Sequence, residues 1–347
     1  MGGDHGPPVT VAGADIALEQ FGARRVSYLF HGDGDRIRAE LAKYPRLAGR
    51  SEVRHTDTVI SGDEKPAQAL RRGKGTSLWN AVEALRSGDA HAAISGGNTG
   101  ALMAISKLIL RMLGGSDRPA IVAGWPTLKG VTAVLDVGAN IDCDANQLVE
   151  FAILGSAFYA AVHGRDSSAR PTVALLNVGS EDMKGHQEVR DAHAILRAGK
   201  LDLDYRGFVE GNDIAMGAVN VIVTDGFTGN VALKTGEGMA RFFAATLREA
   251  LSSSLVNKAG AVLASGALRS LKARLDPSSV NGGPLLGLNG TVVKSHGGAD
   301  ARGLANAYVV AANLAGSDYA QDVARNMARL SAPDPSPEVE PSTGSAL

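Results

Sequence analysis

The sequence predicts an α/β fold with a mostly parallel sheet covered by helices on both faces. Two observations predict it. Six stretches repeat one design: an aliphatic and β-branched run, a loop of Gly, Asn and Asp, and usually a helix-like segment. The runs are continuous in their apolar character rather than alternating, as in strands buried on both faces. In chain order they are "RVSYLFHGDGD" from Arg25, "AAISGGNTGAL" from Ala92, "AVLDVGANIDCD" from Ala133, "VALLNVGSEDMKG" from Val173, "VIVTDGFTGN" from Val221 and "GTVVKSHGGAD" from Gly290. Helical spacing is expected over Pro8–Phe21, Pro66–Leu85, Gly100–Leu113, Asn146–Val162 and Val231–Leu251. The fourth is apolar on nearly every side and reads as a buried helix or a subunit contact.

The segment from Leu251 to Leu275 differs. Small and aliphatic residues alternate with Lys258, Arg269, Lys272 and Arg274, and Gly260 and Gly266 interrupt it. It reads as two short helices with an apolar tip, either a surface hairpin or a projection toward a membrane or partner. Residues 1–331 are read as a single α/β domain carrying this projection. Residues 332–347, rich in Pro, Ser and acid, are expected to be disordered.

Bulk composition narrows the function classes. At 44% apolar and 20% charged, the 347-residue chain can bury a large core. A net charge of −1 gives no whole-molecule attraction to nucleic acid. The single cysteine, Cys143, excludes an internal disulfide and suits a reducing cytosol. The N-terminus lacks the apolar stretch of a signal peptide, and no run of about 18 apolar residues exists.

Familiar phosphate and hydrolase motifs fail. "RRGKGTS" from Arg71 lacks the P-loop glycine, with Gln68 in its place, and Gly75 follows Lys74 where Ser or Thr is needed. No dinucleotide fingerprint is visible. Ser95 lacks the first glycine of a nucleophile elbow. Asp142, Cys143 and Asp144 have no nearby His to complete a metal site, so no metal is expected.

The Gly-rich loops remain. In open α/β sheets, ligands bind beyond the carboxyl ends of the strands. These loops are therefore expected to share one edge and form one site. They carry Ser95, Gly97, Asn98, Thr99 and Gly100; Asn140; Lys184; Asp225, Gly226, Thr228, Gly229 and Asn230; and Lys294 and His296. Each has an ordinary explanation: Asn98 and Asn230 as helix caps, the lysines as solvated charges, His296 as a backbone partner. Together they make a cradle of N–H donors, amides and cations without an obvious nucleophile. Such a set suits a bound anion attacking a carbonyl, phosphate above all.

"MGGDHGP" at Met1, "SGGNTGALM" at Ser95, "LDVGANIDCD" at Leu135, "LLNVGSEDMKG" at Leu175, "DGFTGNVALKT" at Asp225 and "LLGLNGTVVKSHG" at Leu285 closely resemble the bacterial phosphate acyltransferase family of phospholipid synthesis, from Met1 to about Leu330. The resemblance implies transfer of a fatty acyl group from acyl carrier protein to inorganic phosphate. The product, an acyl phosphate, would pass to a glycerol-3-phosphate acyltransferase. It also implies an α/β/α sandwich like phosphotransacetylases and isocitrate/isopropylmalate dehydrogenases, and a homodimer without metal or nucleotide cofactor. Attachment is expected at the cytoplasmic face of the membrane, with no nucleic acid partner. On this reading the Ser95–Gly100 and Asp225–Asn230 loops hold phosphate, with Asn98, Thr99, Asn140 and Asn230. Lys184 and Lys294 neutralise it, and His296 or a lysine serves the oxyanion or the leaving thiolate. Lys184, Asn230 and His296 are the expected catalytic groups. Arg71, Arg72 and Lys74, with Arg111 and Arg118 behind them, are candidates for docking the acidic carrier protein. The rival readings are an acyl-CoA-dependent phosphotransacylase, a dehydrogenase of the related fold and a non-catalytic membrane scaffold. Members of the family carry an apolar strand ending in Asp ahead of the "MGGD" motif, so about ten further residues are expected before Met1.

Overall fold

The computed structural model describes residues 2–22, 24–164, 170–274 and 276–331. The strands are β1 (Tyr28–Gly32), β2 (Ser51–His55), β3 (Ala92–Ser95), β4 (Ala120–Thr127), β5 (Gly130–Leu135), β6 (Thr172–Leu176), β7 (Asp204–Val209), β8 (Val221–Val223), β9 (Gly283–Leu286) and β10 (Thr291–Lys294). The helices are α1 (Pro7–Gln20), α2 (Gly34–Leu41), α3 (Pro66–Arg72), α4 (Ser77–Arg86), α5 (Thr99–Leu110), α6 (Ala145–His163), α7 (Gln187–Arg197), α8 (Gly211–Met216), α9 (Gly226–Ser252), α10 (Leu255–Leu263), α11 (Ser265–Arg274), α12 (Ala301–Ala315) and α13 (Tyr319–Ser331). The expected tail lies outside the described residues.

Eight strands form one sheet in the order β3-β10-β9-β4-β5-β8-β6-β7, and β1 and β2 pair separately and in parallel. One face packs on α6, α7 and α13 through Phe151, Leu154, Val173 and Leu175. The other packs on α4 and α5 through Leu78, Leu102, Val134 and Ile222, with Leu233 of α9 at its margin. Burying each such side chain contributes roughly 1.5–3 kcal/mol. The apolar α6 is a core helix: Asp144 and Gln147 form a capping box at its start, and eleven of its residues are buried.

Three helix expectations shift at their ends. The run from Pro66 breaks into α3 and α4, because the Thr76 hydroxyl caps a new start by accepting from Trp79 N at 3.3 Å. Helix α5 stops at Leu110, where Arg111 takes φ 66° and Met112 bridges to Leu288. Helix α9 begins at Gly226 rather than Val231: "GFTGN" is its first turn, capped by the Asp225 carboxylate.

The sense of the strands corrects the expectation of one shared edge. β10 runs parallel to β3 but antiparallel to β9; β4 is antiparallel to both β9 and β5; β5, β8 and β6 are mutually parallel. The carboxyl ends of β3 and β10 therefore lie at one end of the strands, and those of β5, β8 and β6 at the other. An apolar run is equally apolar in either direction, so the sequence could not reveal the reversal.

Between β1 and β3 lies a cleft of about 920 Å³. Both strands line it, with Leu78 and Ala81 of α4, Tyr308 and Ala311 of α12, and Gly2.

Candidate active site

The first rim gathers three Gly-rich segments from distant parts of the chain. The amide of Asp4 donates to Gly297 O at 2.8 Å, and that of Ser295 to Ser95 O at 2.9 Å. A Cβ on Gly3, at φ 78°, would sit 3.1 Å from Gly297 O and 3.5 Å from Gly96 O. Only side-chain-free residues let these loops approach so closely.

Within this rim, the sequence-predicted residues take different parts. The Ser95 hydroxyl accepts from Gly97 N at 3.1 Å. Asn98 caps α5, its Oδ1 accepting from Ala101 N at 2.9 Å, while its Nδ2 donates to the carbonyls of Ser61, Gly62 and Glu64 at 3.2, 3.0 and 2.8 Å. Its amide is thus committed to the fold and fastens the 61–64 loop beside the rim. Thr99 and Gly100 open α5, and a Cβ on Gly100 would come within 2.8 Å of Pro66 Cγ. The Lys294 ammonium donates to Ser295 O. Burial pushes its pKa down to about 8, partly opposed by the nearby Asp4 carboxylate. The exposed His296 accepts at Nδ1 from Gly298 N at 3.1 Å. A neutral ring therefore carries its proton on Nε2, leaving that nitrogen as a donor.

The second rim holds Asn140, Asp225 to Asn230 and Lys184. Asp136, fully buried, anchors it: the carboxylate accepts from Ile121 N, Ala139 N and Asn140 N at 2.9, 3.0 and 2.7 Å, and from Asn140 Nδ2 at 3.0 Å. Burial raises the pKa of Asp136 and these donors oppose the rise. Asn140 is buried, its Nδ2 also donating to Pro119 O at 2.9 Å, so its side chain serves the loop. Asp225 accepts from Thr228 N and Thr228 Oγ1 at 2.8 and 2.7 Å. A Cβ on Gly226 would meet Asn140 O at 2.5 Å, and Gly229 presses on Asp136 O. Asn230 is exposed beside Gly138. Lys184 is exposed in a turn closed by its own N–H to Glu181 O, 3.0 Å, and by Asn177 Nδ2 to Lys184 O, 3.1 Å. Burial lifts the nearby Cys143 thiol to about 12, which keeps it un-ionised.

The two rims differ in charge. The helix start at the first is capped by a neutral amide, Asn98, with Lys294 adjacent and the Asp4 carboxylate nearby on the Gly297 side. At the second the cap is a carboxylate, Asp225, above the buried Asp136. A helix N-terminus attracts anions, and a carboxylate already at that terminus opposes a second. Among the described residues no group of three or more His, Cys, Asp or Glu is placed to hold a metal ion.

Sequence reasoning missed Asp136 and Asn281. Asp136 ends a strand just before Val-Gly-Ala-Asn, a visible signal for a carboxylate collecting loop amides. Asn281 gave no comparable signal.

The sequence profile of a family described as "Fatty acid synthesis protein" matches residues 1–322. A phosphate acyltransferase of Caulobacter vibrioides is 65% identical over 332 residues, covering 96% of this chain and 91% of that one. The chain belongs to the bacterial phosphate acyltransferase family. It is accordingly an acyltransferase connected with fatty acid synthesis. Its fold is similar to a phosphotransacetylase from Streptococcus pyogenes (TM-score 0.59, 18% identity, 90% of this chain and 91% of that one). It is also similar to a 4-hydroxythreonine-4-phosphate dehydrogenase from Klebsiella pneumoniae (TM-score 0.50, 13% identity, 90% and 96%). The family's phosphate chemistry requires an anion seat, and the first rim offers a helix start with a neutral cap and a lysine beside it.

Proposed function

We propose that this family member takes a fatty acyl group from the thioester of acyl carrier protein and gives it to inorganic phosphate, yielding an acyl phosphate for phospholipid synthesis. The observation that carries the reading is the first rim, where three glycine loops meet at the neutral-capped start of α5 beside a half-buried lysine. Inorganic phosphate is an anion with a substantial dianionic share near neutral pH, and it needs placement more than deprotonation. One phosphate oxygen attacks the thioester carbonyl, a carbon–oxygen bond forms, and the carbon–sulfur bond breaks. The thiolate leaves and takes a proton. Backbone N–H groups at the start of α5 and the Lys294 ammonium hold phosphate. His296, a donor at Nε2, faces the oxyanion or the departing sulfur. A well-placed oxyanion donor contributes about 3–4 kcal/mol to the barrier reduction, and orientation supplies several more.

Exposed Arg71 and Arg72 end α3, and Lys74 lies on the turn to α4; both helices pack against α5. These cations form the docking face for the acidic carrier protein. Arg111 ends α5 toward the opposite rim and is not part of that face. The exposed apolar side chains Met239, Phe242 and Phe243 of α9 suit a homodimer contact.

The test is release of free thiol from acyl-acyl carrier protein. Release dependent on inorganic phosphate, with acyl phosphate recovered, is the expected result. Release from acyl-CoA but not from the carrier protein would shift the donor. No phosphate dependence with either would overturn the reading.

A further inference from the structure

Asn281 lies outside every motif discussed above, in the turn leading into β9. Its side chain makes three hydrogen bonds. Nδ2 donates to Ser295 Oγ at 2.8 Å and to Gly303 O at 2.7 Å, while Oδ1 accepts from His296 N at 2.9 Å. Its carbonyl accepts from Asn306 Nδ2 of α12 at 2.7 Å. The next residue, Gly282, takes φ 109° and passes so close to α12 that a Cβ would sit 2.8 Å from Ala307 Cα. The turn is thus pressed onto α12, and its amide reaches across to the end of β10. Ser295, fully buried, also donates its N–H to Ser95 O in the first glycine loop. One side chain therefore ties the residue after Lys294, the backbone of His296 and the first turn of α12.

We propose that Asn281 is a positioning residue for the reaction: it fixes the Ser295–His296 backbone so that His296 and Lys294 address the same bound phosphate and thioester. The inference rests on the reading that the first rim is the reacting site. Asn281 touches neither substrate nor leaving group. It acts through the turn, because a displacement of about 1 Å in an orienting group can cost roughly a hundredfold in rate.

Substitution of Asn281 and of Asn306 separates positioning from stability. Asn306→Ala removes one hydrogen bond from the same turn but leaves the His296 and Ser295 bonds in place. Asn281→Ala is expected to lower kcat by roughly a hundredfold, with KM for carrier protein little changed. Asn306→Ala should melt earlier yet keep kcat within about threefold. Asn281→Asp keeps an acceptor for His296 N, loses the donor to Gly303 O, and should recover part of kcat. A second readout needs no turnover: in the wild-type chain, nitrogen NMR of His296 should show Nδ1 unprotonated and Nε2 protonated at high pH. In Asn281→Ala that signature should give way to a tautomer mixture. If kcat falls equally in both alanine variants in step with their melting temperatures, or if the His296 signature is unchanged in Asn281→Ala, the inference fails. Absence of phosphate-dependent thiol release in the wild-type chain would instead remove the reaction reading beneath it.

Discussion

Lys294 shows how one residue's surroundings set a measurable pH response. Its ammonium is mostly buried and its pKa falls from the ordinary lysine value to about 8. Charge, and with it attraction for phosphate, is present below pH 8 and is lost above it. KM for phosphate should rise above pH 8 in the wild-type chain and stay level over the same range in Lys294→Met. A flat wild-type profile would remove Lys294 from the anion seat. Stability moves the opposite way. Between pH 8 and the ordinary lysine value the unfolded chain binds more protons than the folded one, so this group's contribution makes the fold more stable as pH rises. The sequence displayed Lys294 in "VKSHGG" but not its burial, since four of its five neighbours there are polar or glycine. It also displayed Asn98 and Asn140 as ready side chains. Both turned out to have their amides committed to backbone carbonyls or to Asp136, because an exposed loop and a folded-back one have the same composition.

One element, the hairpin that follows α9, carries a prediction of its own. The α10–α11 hairpin exposes Leu255, Val256, Val262 and Leu263, each more than 70% accessible, beside the cations Lys258, Arg269 and Lys272. Apolar side chains flanked by cations suit the surface of an anionic bilayer. The wild-type chain should float with vesicles containing phosphatidylglycerol. Leu263→Glu should weaken flotation several-fold while leaving thiol release in solution intact. Equal flotation of both would remove the hairpin as the attachment.

At the scale of the whole molecule, the strand senses divide the candidate residues. Lys184 and Asn230 lie at one end of the sheet, Lys294 and His296 at the other. Lys294→Ala should lower kcat/KM by a hundredfold or more, largely through phosphate. Lys184→Ala should leave KM for phosphate within about twofold, because its exposed ammonium follows a strand that ends at the other end of the sheet and is screened by water. A large rise in that KM would bring the second rim of another copy of the chain to the first rim, and would revise the assignment.

The sequence by itself determined the α/β class and the family. Apolar runs, glycine loops and cap residues are local features, and their order along the chain is distinctive. Only the tertiary structure decided how those residues are grouped. Strand direction in a sheet follows from which edges pair, and pairing is settled by contacts far apart in sequence, as when Thr291 meets Ala92 and Ala120 meets Leu286. The same long-range packing buries Lys294, turns Asn140 inward and brings Asn281 under the His296 backbone. None of these leaves a mark on the residues immediately around it.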